Sequence, residues 1–204
     1  MIFEKTMQTV KDFESAMTAA QESFNAAKKE ILATYKDPIS TDKVKAIRDI
    51  LSDTEIKEKQ NARDNIKADF ADVRSKVNAV VTASAPADFA ATLEALKTMG
   101  KSVSDYEANA FIEKYKDNYT AFRAILDVLH SVGKANDIVP YNAEAIDREI
   151  TEAEKFILDW VATFKGADYY SALLTSDQHS PVKGMAARVQ AFLDGGYVLG
   201  DEPA

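Results

Sequence analysis

The chain has 204 residues, 46% of them hydrophobic and 28% charged, a balance that suits a folded protein and excludes low-complexity disorder. It contains no cysteine, which removes disulfides, thiolate zinc sites and thiol catalysis together. Net charge is −8, and the acids concentrate late: 16 acidic against 15 basic residues up to position 99, then 17 against 10. Binding to phosphates depends on Lys and Arg displacing counterions, so direct nucleic-acid binding is disfavoured.

The opening, MIFEKTMQTVKDFE, carries charges where a signal peptide needs an unbroken apolar core. Within VKDFESAMTAAQESFNAAKKEI the apolar positions Val10, Phe13, Met17, Ala20, Phe24, Ala27 and Ile31 recur every three or four residues. This heptad stripe predicts one helix from Glu4 to Lys36, ended by KDPIST, since Pro38 restricts the residue before it and has no N–H to continue the ladder. A second helix is expected after Ser40 or Thr41, with Val44, Ile47 and Leu51 on one face. SDTE at residues 52 to 55 offers a capping box that would restart it. The same spacing continues through Ile66, Phe70, Val73, Val77 and Val80 to about Ala83, interrupted by Lys59 and Arg63, with i,i+4 ion pairs expected at Asp53–Lys57, Glu55–Lys59 and Asp72–Lys76.

Two stripes of similar length flanking a turn predict an antiparallel coiled-coil hairpin. Val10, Phe13, Met17, Phe24 and Ile31 are expected to form its seam with Phe70, Val73 and Val77. Pairing between chains is the alternative. ASAPAD, residues 83 to 88, marks a boundary and divides the chain into a hairpin, 1–84, and an acidic helical bundle, 85–204, with a short tail.

Pro86 opens the helix DFAATLEALKTM, which Gly100 should terminate. Ser104 and Glu107 form a capping box ahead of one helix, YEANAFIEKYKDNYTAFRAILDVLHSV, with Phe111, Tyr115, Phe122, Ile125 and Leu129 facing one way and Gly133 at its C-cap. Asn142 caps AEAIDREITEAEKFILDWVATFK, whose face is Ile146, Ile150, Phe156, Ile157, Trp160 and Phe164 and whose stop is Gly166. ADYYSALL and PVKGMAARVQAFLD read as shorter helices and GGYVLGDEPA as a tail. The most apolar windows, FILDWVATF and AFRAILDVLHSV, are broken by Asp159, Arg123 and Asp127 and fall short of the ~20 residues needed to span a bilayer.

Each group of chemistry-bearing residues also has a plainer role. Asp127 and His130 share a helical face, as carboxylate-bridged metal bundles require, yet such sites need a second pair and further inward glutamates; a histidine in the last turn, favoured by the helix dipole, is the plainer reading. Glu144, Asp147, Glu149, Glu152 and Glu154 could hold a cation or imitate a phosphate run, but acids also suit a helix's first turns. Ser176, Asp177, His179 and Ser180 have acid–base types without an orienting motif. GGYVLG has neither dinucleotide nor P-loop spacing, and the sequon Asn118-Tyr119-Thr120 falls in the middle of the expected helix.

The expectation is therefore an all-α protein with no catalytic, cofactor or metal site. Its role would be structural or adaptor-like, in the cytoplasm or assembled into a virion, and its partners proteins, including copies of itself, rather than nucleic acid or membrane. The interaction residues are those of the hairpin seam and the tail residues Tyr197, Val198 and Leu199, which either pack on their own bundle or insert into a neighbour. The rival readings are an acidic inhibitor that mimics nucleic acid and a carboxylate-dependent metalloenzyme.

Overall fold

The computed structural model describes residues 2–164 and 181–198. They form seven α-helices: α1 (Glu4–Thr34), α2 (Ile39–Val81), α3 (Phe89–Met99), α4 (Asp105–Tyr115), α5 (Tyr119–Ser131), α6 (Ala143–Thr163) and α7 (Pro181–Leu193). Among the described residues there are no strands, only an isolated antiparallel bridge between Pro140 and Val198. No described helix is long and apolar enough to cross a membrane. The architecture is a helical hairpin, α1 packed on α2, followed by a helical bundle.

The chain divides into two compact units. The first comprises Met1–Ile2, Asp72–Thr151 and Gly184–Ala204; the second comprises Phe3–Ala71 and Glu152–Lys183. The divisions fall inside α2, α6 and α7, whereas the boundary expected at residues 84 and 85 lies in the loop between α2 and α3, within the first unit.

Helix ends follow local chemistry. α1 stops at Thr34, two residues earlier than expected, and Tyr35 is already extended. The Asp37 carboxylate accepts hydrogen bonds from Ser40 Oγ at 2.6 Å and Thr41 Oγ1 at 2.9 Å, so the hydroxyls at the start of α2 are held by an acid of the turn. α2 then runs 43 residues without the expected restart at 52–55. Thr54 Oγ1 instead donates to the carbonyl of Ile50, which satisfies the hydroxyl without breaking the helix.

In the first unit Gly100 ends α3 with φ +53°, a conformation glycine adopts without a Cβ penalty. The Ser104–Glu107 capping box opens α4 as expected. The single helix expected from Tyr106 onward is in fact two. Asn118 interrupts it, its Oδ1 accepting from Ala121 N at 2.9 Å and its Nδ2 donating to Ser84 O at 3.0 Å. Asn118 is therefore an N-cap, and the sequon is not mid-helix. Gly133, φ +80°, follows α5. Asn142 Oδ1 accepts from Glu144 N at the start of α6.

The core of this unit includes Leu96, Phe122, Ile125, Leu126, Leu129, Ile146 and Ile150. An aromatic cluster closes it: Tyr119 meets Phe192 and Tyr197 edge-on at 5.1 and 5.3 Å, and Phe192 meets Tyr197 at 5.4 Å. Tyr119 Oη accepts from Ala143 N at 3.0 Å and donates to Tyr141 O at 3.2 Å, which secures the loop before α6.

The second unit buries Phe3, Val10, Phe13, Met17, Ala62, Ile66 and Phe70 of α1, its lead-in and α2 together with Ala153, Ile157, Trp160 and Val161 of α6. Phe13 stands edge-on to Trp160 at 5.8 Å and to Phe164 at 5.3 Å. Phe156, expected on the buried face of α6, is 36% exposed; Ala153 and Val161 occupy the interior positions instead.

Candidate functional site

Register along the hairpin can be read from cross-helix pairs. The Phe3 and Phe70 rings lie 4.8 Å apart, and Thr6 Oγ1 donates to Asp69 Oδ2 at 3.3 Å. Further along, Phe13 and Ala16 share a groove with Glu58 and Ala62, and near the turn Lys28 and Leu32 share one with Thr41, Val44, Lys45 and Arg48. This is the antiparallel order. It places Phe24 and Ile31 towards the turn, well along the seam from Phe70.

Burial changes along that seam. Val10, Phe13 and Met17 are buried, whereas Ala20, Phe24, Ala27 and Ile31 are only half-buried, as are Val44, Ile47 and Leu51 opposite. The physical reason is the number of helices. Among the described residues, α6 joins α1 and α2 around Phe13, where three helices enclose the seam; α6 ends at Thr163, and a pair of helices buries only the strip between them. Leu32, Ile39, Ile50 and Ile56 are each more than half exposed. Val73 and Val77, on the same face of α2, are buried in the first unit.

The two cations that interrupt the α2 stripe in sequence do not stand in it in the fold. Arg63 is exposed, and Glu58 and Ala62 take the inward positions, with Ala62 buried. Lys59 is half-exposed and its Nζ donates to Ala162 O at 3.3 Å, placing a positive charge at the carbonyl end of α6. Of the three expected ion pairs along α2, Asp72–Lys76 forms at 2.8 Å; among the described residues no such pair joins Asp53 to Lys57 or Glu55 to Lys59.

The chemistry-bearing residues have local partners. His130 Nε2 lies 2.8 Å from Ala135 O, in the turn that follows its own helix, and Asp127 is exposed. Among the α6 acids, Asp147 pairs with Arg74 at 3.7 Å and Glu149 with Arg188 at 2.7 Å. No group of three or more potential metal ligands occurs among the described residues. Ser176, Asp177, His179 and Ser180, with Gly166 and the expected helix ADYYSALL, lie outside the described residues.

The tail folds back. Tyr197 is buried against Tyr119, Phe122 and Phe192, and its carbonyl accepts from Tyr141 N at 2.7 Å. Burial pushes the Tyr197 phenol above its ordinary range, with the negative charge of Asp117 adding to the effect. Val198 is half-buried, and Leu199 lies outside the described residues. Of the residues singled out from the sequence, Val10, Phe13, Met17 and Phe70 are therefore buried in the second unit, Phe24 and Ile31 lie in a half-open seam, and Tyr197 belongs to the aromatic core of the first unit. Sequence reasoning missed Phe3, Thr6 and the Tyr119–Tyr141 loop clamp; a continuation of the stripe N-terminal to Val10, at spacings of four and three, is the signal that points to Thr6 and Phe3.

No protein-family model, curated protein or solved structure matches the chain.

Proposed function

We propose that the protein is a non-catalytic assembly or adaptor component that acts through helical protein–protein contacts made by the distal half of the α1–α2 hairpin. One observation carries the reading. A heptad stripe maintained over the full length of α1 is closed at one end and left half-open at the other, and Leu32 of α1 and Ile39, Ile50 and Ile56 of α2 are more than half exposed. Isolated apolar residues on a surface need no explanation, but a heptad stripe kept half-open over several helical turns does. The proposal assigns no catalytic role, and it extends to a bacterial or bacteriophage assembly on the general character of a cysteine-free, helix-rich chain.

Site-specific photo-crosslinking tests it. A crosslinking residue at Ile50, expressed in the native cells, is expected to trap a discrete protein partner or a second copy, while the same residue at exposed Tyr106 traps none. Equal, diffuse labelling at both positions would refute the assignment. Light scattering over a concentration series then separates self-assembly from capture of another protein.

A further inference from the structure

We propose that the turn end of the hairpin is a docking groove for an acidic amphipathic helix of a partner protein, an inference that rests on the adaptor reading above and names the chemistry of its partner. The groove, about 330 Å³, lies between α1 and α2 and is lined by Lys28, Leu32, Thr41, Val44, Lys45 and Arg48. Its apolar part is the 56% exposed Leu32 with half-buried Val44. Lys28 stands on one helix, Lys45 and Arg48 on the other, and none of the three has an ion-pair partner among the described residues.

Charge selects the occupant. The groove lining carries three cations, Lys28, Lys45 and Arg48, and no acid, in a chain whose net charge is −8. An apolar floor between cationic rims fits a helix that presents leucine-like anchors at i, i+4 and i+7 with carboxylates on both flanks. A second copy docked face to face would bring Lys28, Lys45 and Arg48 against their own kind. Nucleic acid would use the cations and leave the Leu32–Val44 floor without a role.

The test uses the full chain and a fluorescent synthetic helix with leucines at i, i+4 and i+7 flanked by glutamates, read by anisotropy. Binding is expected to weaken about tenfold or more in the double variant Lys45→Glu, Arg48→Glu, and comparably in Leu32→Glu, with melting temperature unchanged because these side chains are not buried. Lys101→Glu, an exposed charge reversal in the first unit, should leave it unaltered. Binding should also fall as salt rises. The proposal is overturned if a lysine-flanked or scrambled peptide binds equally well, if Leu32→Glu has no effect, or if light scattering shows a dimer that Arg48→Glu dissociates. It is also overturned if anionic vesicles or single-stranded DNA bind this groove in place of the peptide. Loss of peptide binding with persistent Ile50 crosslinks would refute the acidic helix and leave the adaptor reading standing; peptide binding without any Ile50 crosslink would support the groove and refute only the contact assigned to Ile50.

Discussion

Phe24 and Phe70 occupy equivalent stripe positions in the sequence, yet their surroundings differ. Phe70 is fully buried beside Phe3, while Phe24 is half-exposed on a two-helix segment. Phe70→Ala is expected to cost about 3 to 5 kcal/mol, since it removes transfer energy and leaves a cavity. Phe24→Ala should cost only about 1 kcal/mol, roughly half of what full burial of a large apolar side chain is worth. Urea denaturation of the two variants checks the difference; equal losses would mean that the distal seam is as well packed as the proximal one. Tyr197 gives a second residue-scale prediction. Its folded pKa is raised by burial, so the neutral phenol is the form the fold favours. Its contribution is fully present below the unfolded value of about 10 and is lost as pH rises through the higher folded value. The loss of stability above about pH 10 should therefore be smaller in Tyr197→Phe than in the parent, measured by thermal melts across alkaline pH. If the two pH profiles superimpose, Tyr197 ionisation does not govern docking of the tail.

At the scale of the element, caps decide where helices begin. Asn118 satisfies the N-terminus of α5 and also ties it to the carbonyl of Ser84, whereas Ser104 caps α4 within its own turn. Asn118→Ala should accordingly destabilise by about 1 to 2 kcal/mol, at least as much as Ser104→Ala at about 1 kcal/mol. Chemical denaturation of both variants measures the order, and the reverse ranking would remove the Ser84 bond from the account. The expected single helix across this region shows what periodicity conceals. Tyr115, Phe122, Ile125 and Leu129 are buried as the spacing requires, so the apolar pattern continues across Lys116 to Asn118 although the backbone ladder does not. An apolar spacing records which residues face the core, and a break that preserves that facing leaves no mark in it. The only local signal was Asn118 itself, a strong N-cap residue whose alternative reading was a sequon. The converse occurs at residues 52–55, where a capping-box pattern sits inside an unbroken helix and Thr54 Oγ1 donates to the carbonyl of Ile50.

For the molecule as a whole, helix positions and hydrophobic faces were legible because they depend on spacings of three and four and on glycine and proline punctuation. The openness of the seam was not, since the stripe from Val10 to Ile31 keeps its spacing throughout, with Ala20 and Ala27 the one change of size, while among the described residues the end of α6 beside Phe13 sets its two halves apart. The tail was legible only as a choice between packing at home and inserting into a neighbour. The contacts of Tyr197 with Tyr119, Phe122 and Phe192, together with the 2.7 Å bond from Tyr141 N, place that residue at home. Deleting residues 195 to 204 removes a buried aromatic ring worth about 1.5 to 3 kcal/mol. For a chain of this length that corresponds to a melting temperature lower by about 5 to 10 °C. Molecular mass by light scattering should stay constant, because the tail's ring fills its own unit. A loss of oligomeric mass at unchanged melting temperature would instead assign the tail to a neighbouring subunit, and the contrast with Leu32→Glu, which should alter peptide capture without altering melting, separates a residue that holds the fold from one that faces a partner.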